Sequence, residues 1–155
     1  MAMPELLPGM WTQGLAKLAE QGPMRARELL ETLAETLVEH ARGTVSNGQH
    51  AYGTPTPARP GSGPAMISET LKESIDHSEP VPSALGWSLK VGPKPNCYPE
   101  YNSRTPADRY GYYLETGLRN GTAYPWLKPA ADALEAAGAA ALMGGAMNRP
   151  WMSVF

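Results

Sequence analysis

The sequence predicts a small α+β domain, and three observations predict it. Residues 24–42 carry an apolar stripe at helical spacing. Residues 87–92 alternate apolar and polar side chains. Pro125 to Pro129 open a second, alanine-rich helical run. A helix with one apolar face and a half-buried strand in a chain of 155 residues call for helices covering a sheet within one domain.

Taken in order, residues 1–11 hold Pro4, Pro8, Gly9 and Trp11 and read as an N-terminal arm that docks rather than folds alone. Thr12 is placed to cap a helix starting near Gln13, with Leu15, Leu18 and Ala19 at helical spacing. Gly22-Pro23 interrupts that pattern, so either a new helix starts there or the helix kinks. From Met24 to about Arg42 the signal is strongest. Ala26, Leu29, Leu30, Leu33, Leu37 and Val38 recur at three- and four-residue steps, while Glu28, Glu31, Glu35 and Glu39 fill the other face. Gly43 is expected to stop this helix.

Residues 43–64 are rich in Gly, Pro, Ser, Thr and Asn and read as a long loop, mobile or ordered by a partner. A short helix is expected from Pro64, with Met66, Ile67, Thr70, Leu71, Ser74 and Ile75 as its periodic positions. Trp87 to Gly92 is the clear strand. Residues 93–108, with four prolines, form a second long loop. Tyr110 to Glu115 is compatible with a short strand or a helical turn leading into Thr116-Gly117, where Gly117 permits a turn at positive φ. Pro125 and Pro129 stiffen the start of the last helix, and Trp126 and Leu127 pin it to the body. The resulting division is an arm (1–11), one domain (12–146) and an apolar tail (147–155). That tail ends in Trp151-Met152-Ser153-Val154-Phe155 and is expected to dock on something.

Composition sharpens this. Leu, Ile, Val and Phe together number only 24 of 155, against 21 alanines, 16 glycines and 16 prolines. A formal charge of −2 argues against disorder at that composition and supplies no basic field for wrapping nucleic acid. The expectation is a thin core completed by burial between subunits. No apolar run approaches the roughly 20 residues of a membrane span, and the first residues do not form a signal peptide.

Catalytic and cofactor signatures are missing. No phosphate loop, zinc-ligand spacing or serine elbow occurs, so no cofactor and no metal is expected. The single cysteine, Cys97, reads as a free thiol in a loop. A small thiol enzyme would need one of His40, His50 or His77 beside it. Glu115 is the carboxylate most suited to a held position, accepting backbone N–H groups or pairing with an arginine such as Arg109 or Arg119. The aromatics Tyr110, Tyr112, Tyr113, Tyr124 and Trp126 could stack single-stranded bases but lack interleaved cations, which favours core and interface packing.

Three blocks, in this order, carry a resemblance: Gly63-Pro64-Ala65-Met66-Ile67-Ser68-Glu69-Thr70-Leu71-Lys72-Glu73-Ser74-Ile75, then Tyr110-Gly111-Tyr112-Tyr113-Leu114-Glu115-Thr116-Gly117, then Tyr124-Pro125-Trp126-Leu127-Lys128-Pro129-Ala130. Together they resemble the gene-product-ten-like family of head–tail joining (neck or tail-completion) proteins of long-tailed phages. Gly111 stands where that family's pattern has alanine, and Trp126 where it has phenylalanine. The resemblance implies a mainly antiparallel sheet of three or four strands, with the 24–42 helix and the last helix on one face. It implies a structural virion protein without catalytic residues, located at the head–tail junction. Copies would form a homo-oligomeric, hexameric ring stacked on other connector and tail proteins, with DNA passing unread through the lumen. The neighbouring tail-terminator and head-closure rings are the alternatives of the same class. Trp11, Leu71, Ile75, Tyr112, Tyr113, Glu115, Gly117, Pro125, Trp126, Leu127, Pro129, Trp151 and Phe155 are the residues expected to build the subunit and its interfaces.

Overall fold

The computed structural model describes residues 8–84 and 86–136, with side chains from Gly22 onward. Four helices and two short antiparallel ladders follow one another: α1 (Pro8–Val45), α2 (Thr70–Ser74), β1 (Ile75–His77), β2 (Val81–Ser83), β3 (Gly86–Ser88), β4 (Val91–Pro93), α3 (Ala107–Thr116) and α4 (Leu127–Ala136). The α+β class is as the sequence predicts.

The first helix is longer than expected at both ends. It runs unbroken for 38 residues, about 57 Å at 1.5 Å per residue, with Pro23 inside it. Proline deletes one backbone donor and so one intrahelical bond. The apolar positions Leu15, Ala19, Ala26, Leu29, Leu33 and Leu37 stay in phase across it, so one helical face continues through the proline. The start at Pro8 places Trp11 within α1. Gly43 does not end the helix, because Val45 is drawn into the core at 2% exposure. Thr44 Oγ1 and Ser46 Oγ donate back to the carbonyls of His40 and Arg42 and finish the last turn.

The strands differ from the single sheet of three or four that was expected. β1 pairs with β4, Ile75 opposite Pro93, and β2 pairs with β3, Val81 opposite Ser88. The predicted strand 87–92 is therefore divided between β3 and β4. Both ladders belong to one hairpin with a one-residue shift between them. Three residues (78–80) separate β1 from β2, against two (89–90) between β3 and β4. Ser78 bridges the irregularity: its N–H donates to the Lys90 carbonyl (2.8 Å), and its Oγ accepts from Lys90 N–H (3.0 Å). An extra residue on one strand bends and twists a ribbon.

The helix expected from Pro64 begins only at Thr70. Met66 is extended instead, its N–H donating to Gly48 O (2.8 Å) and its carbonyl accepting from His50 N–H (2.9 Å). Partnership with the 47–50 segment wins over a helical pattern, since both backbone groups of Met66 are satisfied there. Tyr110 to Glu115 lies in helix α3.

The core forms where α1 crosses the hairpin and meets α4. Val38, Ala41 and Val45 from α1 join Leu71, Ile75, Ala107, Trp126 and Ala130. Arg42 Nη2 donates to Ile75 O at 2.8 Å, and the Arg27 guanidinium lies 5.7 Å from the centre of the Trp87 ring, so two arginines fasten α1 to the hairpin. Among the described residues, prolines aside, ten hydrophobic side chains are buried and five of them are alanine (34, 41, 58, 107 and 130), in keeping with the thin core expected from composition.

Candidate functional site

Two arrangements stand out: a carboxylate latch between α3 and α4, and a tyrosine-lined groove beside it.

The latch is built by the turn between the helices. Gly117 adopts φ 132°, closes α3 through its N–H to Tyr113 O (2.8 Å), and turns the chain back. Leu118 and Tyr124 then fasten the return, Leu118 N–H to Thr122 O (2.8 Å) and Tyr124 N–H to Leu114 O (2.7 Å). This brings the start of α4 over the end of α3. Glu115 Oε2 accepts from Trp126 N–H (2.7 Å) and Leu127 N–H (2.9 Å), and Oε1 accepts from Lys128 N–H (2.9 Å). Of the two partners open to Glu115, the structure selects backbone donors over the arginines. A helix start has unpaired N–H groups and partial positive charge, and a carboxylate answers both. Pro125 lies just ahead of these donors and Pro129 follows them, both half-buried. Trp126 is 2% exposed, and its Nε1–H donates to Gly111 O at 2.9 Å. Gly111 keeps this contact close: a Cβ there would sit 3.0 Å from Leu71 Cδ1 and 3.4 Å from Trp126 Cζ2, tight enough that Leu71 would have to give by a few tenths of an ångström. Leu71 and Ile75 are core residues, 4% and 0% exposed, and Leu127 packs on them from the rim.

The groove has a volume of about 410 Å³ and lies among the end of α1, the 50–68 segment, the 99–105 loop and α3. Tyrosines 52, 101, 110, 113 and 124 line it. Tyr52 and Tyr101 stack with ring centres 4.7 Å apart. Met66, Leu114 and Leu118 add apolar wall. Burial pushes the Tyr110 phenol well above its ordinary pKa, helped by the nearby Tyr101 and Cys97, and burial also raises Tyr101. Both hydroxyls are therefore neutral at physiological pH. No Asp, Glu, Lys or Arg is among the described residues that line it, so the groove suits an uncharged, aromatic or aliphatic occupant. The 43–64 loop contributes Tyr52, Thr54 and Thr56 to this wall. His50 Nδ1 lies 3.1 Å from Thr54 O and 3.2 Å from its Oγ1, and Thr54 N–H donates to Ala51 O (3.1 Å), which fixes the turn that carries Tyr52.

The sequence-predicted aromatics separate here. Trp126 is core, Tyr113 and Tyr124 face the groove, and Tyr112 points outward at 63% exposure. Cys97 is half-buried, with Sγ 3.9 Å from the Pro95 carbonyl. The groove itself is missed by sequence reading, because Tyr52 and Tyr101 are 49 residues apart in two loops with no periodicity. The side chain of Trp11, and Trp151 and Phe155 altogether, lie outside the described residues. Among the described residues there is no cluster of three metal-ligating side chains and no helix apolar enough to cross a membrane.

No family model, curated relative or solved structure matches this chain.

Proposed function

We propose that this chain is a structural subunit of a phage head–tail junction, acting as a neck or tail-completion protein that closes into a homo-oligomeric, hexameric ring around the DNA passage. The observation that carries the reading is the mismatch between core and surface. Among the described residues, prolines aside, half of the buried hydrophobic residues are alanine, while Tyr52, Tyr98, Tyr112, Tyr113 and Leu118 stand 37–63% exposed. Burial of apolar area contributes about 25 cal/mol per Å². A subunit that keeps its large aromatic surface outside gains that stabilisation by association. The latch supports the reading from another side. It gives the second and third blocks of the resemblance one shared physical task, in which Glu115 and Gly117 of one block seat Pro125, Trp126 and Leu127 of the other.

The net charge of −2 suits a lumen through which DNA slides, since a strongly basic wall would retain it. The arm, the two long loops and the tail 147–155 would supply contacts to neighbouring copies and to connector and tail proteins. Light scattering of the purified chain at tens of micromolar, with negative-stain images, tests the assignment. Closed rings of about six copies are the expected result. A monomer at that concentration, with no binding to head-connector or tail-tube proteins, overturns it.

A further inference from the structure

We infer that the tyrosine groove is the receptor for the C-terminal segment Trp151-Met152-Ser153-Val154-Phe155 of a neighbouring copy. This rests on the ring reading above and specifies which two surfaces make the ring contact.

The chemistry of the two partners matches. The groove is rich in aromatics and carries no Asp, Glu, Lys or Arg among the described residues that line it, and residues 151–155 contain two aromatics, a methionine, a valine and no charged side chain. Met beside tyrosine rings makes favourable sulfur–aromatic contacts. Trp and Phe each bury about 150–250 Å² when seated. The rim is available: Tyr113 and Leu118 both line the groove and are 44% and 37% exposed.

The length of chain also fits. Tyr124 lines the groove three residues ahead of α4, and the ten residues of α4 then rise about 15 Å. Ala136, at the far end of α4, is the last described residue before the tail. The 14 residues 137–150 precede Trp151 and span at most about 50 Å when extended, so the segment can reach well beyond its own helix α4. Groove and tail are different patches of one chain, so their union is head-to-tail. A head-to-tail contact is the kind that closes into a ring when its rotation permits.

Two full-length double variants test this. Y113S/L118S blunts the groove and keeps the tail; W151S/F155S blunts the tail and changes no groove residue. Light scattering should give rings for the parent chain, monomers for each variant alone, and a 1:1 heterodimer when the variants are mixed. The mixture can form one good contact per pair and no more. Either variant assembling like the parent overturns the docking while leaving the ring reading intact. Monomeric variants that do not pair on mixing also overturn it, assigning the tail to its own groove or elsewhere. A monomeric parent chain overturns the docking, and one that also binds no head-connector or tail-tube protein overturns the ring reading as well. Far-ultraviolet circular dichroism of each variant confirms folding, and the tail variant keeps the comparison meaningful if the groove variant unfolds.

Discussion

Replacing Glu115 with alanine removes the acceptor for three backbone N–H groups at once. The Lys128 N–H is exposed and finds water, whereas the Trp126 and Leu127 donors are partly buried beneath the latch. Leaving a partly buried donor unpaired costs about 1–1.5 kcal/mol, so two give about 2–3 kcal/mol. Loss of the carboxylate at the α4 start adds about 0.5 kcal/mol through the helix dipole. The sum, about 3 kcal/mol, corresponds to a fall in Tm of about 6–12 °C for a chain of this length. The assay is thermal or urea unfolding at fixed protein concentration, because assembly shifts apparent stability. Glu115→Gln retains one acceptor oxygen and should fall between the parent and Glu115→Ala. A loss below about 0.5 kcal/mol for Glu115→Ala would refute the argument that the carboxylate seats the helix, since that is the range of inconsequential surface changes.

Three further outcomes are expected. Trp126→Phe deletes the 2.9 Å bond to Gly111 O and leaves a gap in the core, lowering stability by about 1–2 kcal/mol in urea titrations. Gly63→Ala would set a Cβ against the backbone carbonyl of Thr44, where no flexible side chain can give way; a loss of about 2 kcal/mol or more, or poor soluble yield, is the expected readout. The Asp76 carboxyl is held below its ordinary pKa by Lys94 Nζ at 2.6 Å and by the His77 N–H at 2.8 Å. A depressed folded pKa means stabilisation that is complete near neutral pH and lost as pH falls below about 4. Because the pair is exposed, Asp76→Asn should cost at most about 1 kcal/mol at pH 7 and nothing near pH 2, read from urea midpoints at the two pH values.

Local patterns in the sequence reported well wherever a residue's neighbours in the chain decide its fate. The helical run 24–42, the positive φ at Gly117 and the seating of Trp126 are of that kind, although of the predicted stripe only Val38 and Ala41 are buried and Ala26 is exposed. Pro23 looked like an interruption because proline rules are local. The in-phase apolar positions on both sides were the signal that one helix runs through it. Met66 and Ile67 fit a helical period yet lie before α2, because the 47–50 segment offers the Met66 backbone partners that no local rule can see. The 87–92 alternation was correct in kind but was cut by an extra residue on the opposite strand, between Ser78 and β2. Glu115 was recognised as a held carboxylate; which donors hold it depended on the return turn 117–124. The tyrosine groove is assembled from loops far apart in sequence and left no periodic trace.

The alanines where α1 meets α4 have a consequence for what substitutions this chain tolerates. Ala41 and Ala130 are 0% and 1% exposed, so a larger side chain at either has no solvent to turn into and must be taken up by the core. Enlarging either residue would wedge apart two helices that carry most of the body between them, and shrinking one to glycine would loosen helix and seam together. Divergence at this seam is therefore expected to proceed by compensating exchanges on opposite sides, visible as coupled positions among descendants of the same ancestor, while the exposed tyrosines drift with whatever surface they meet.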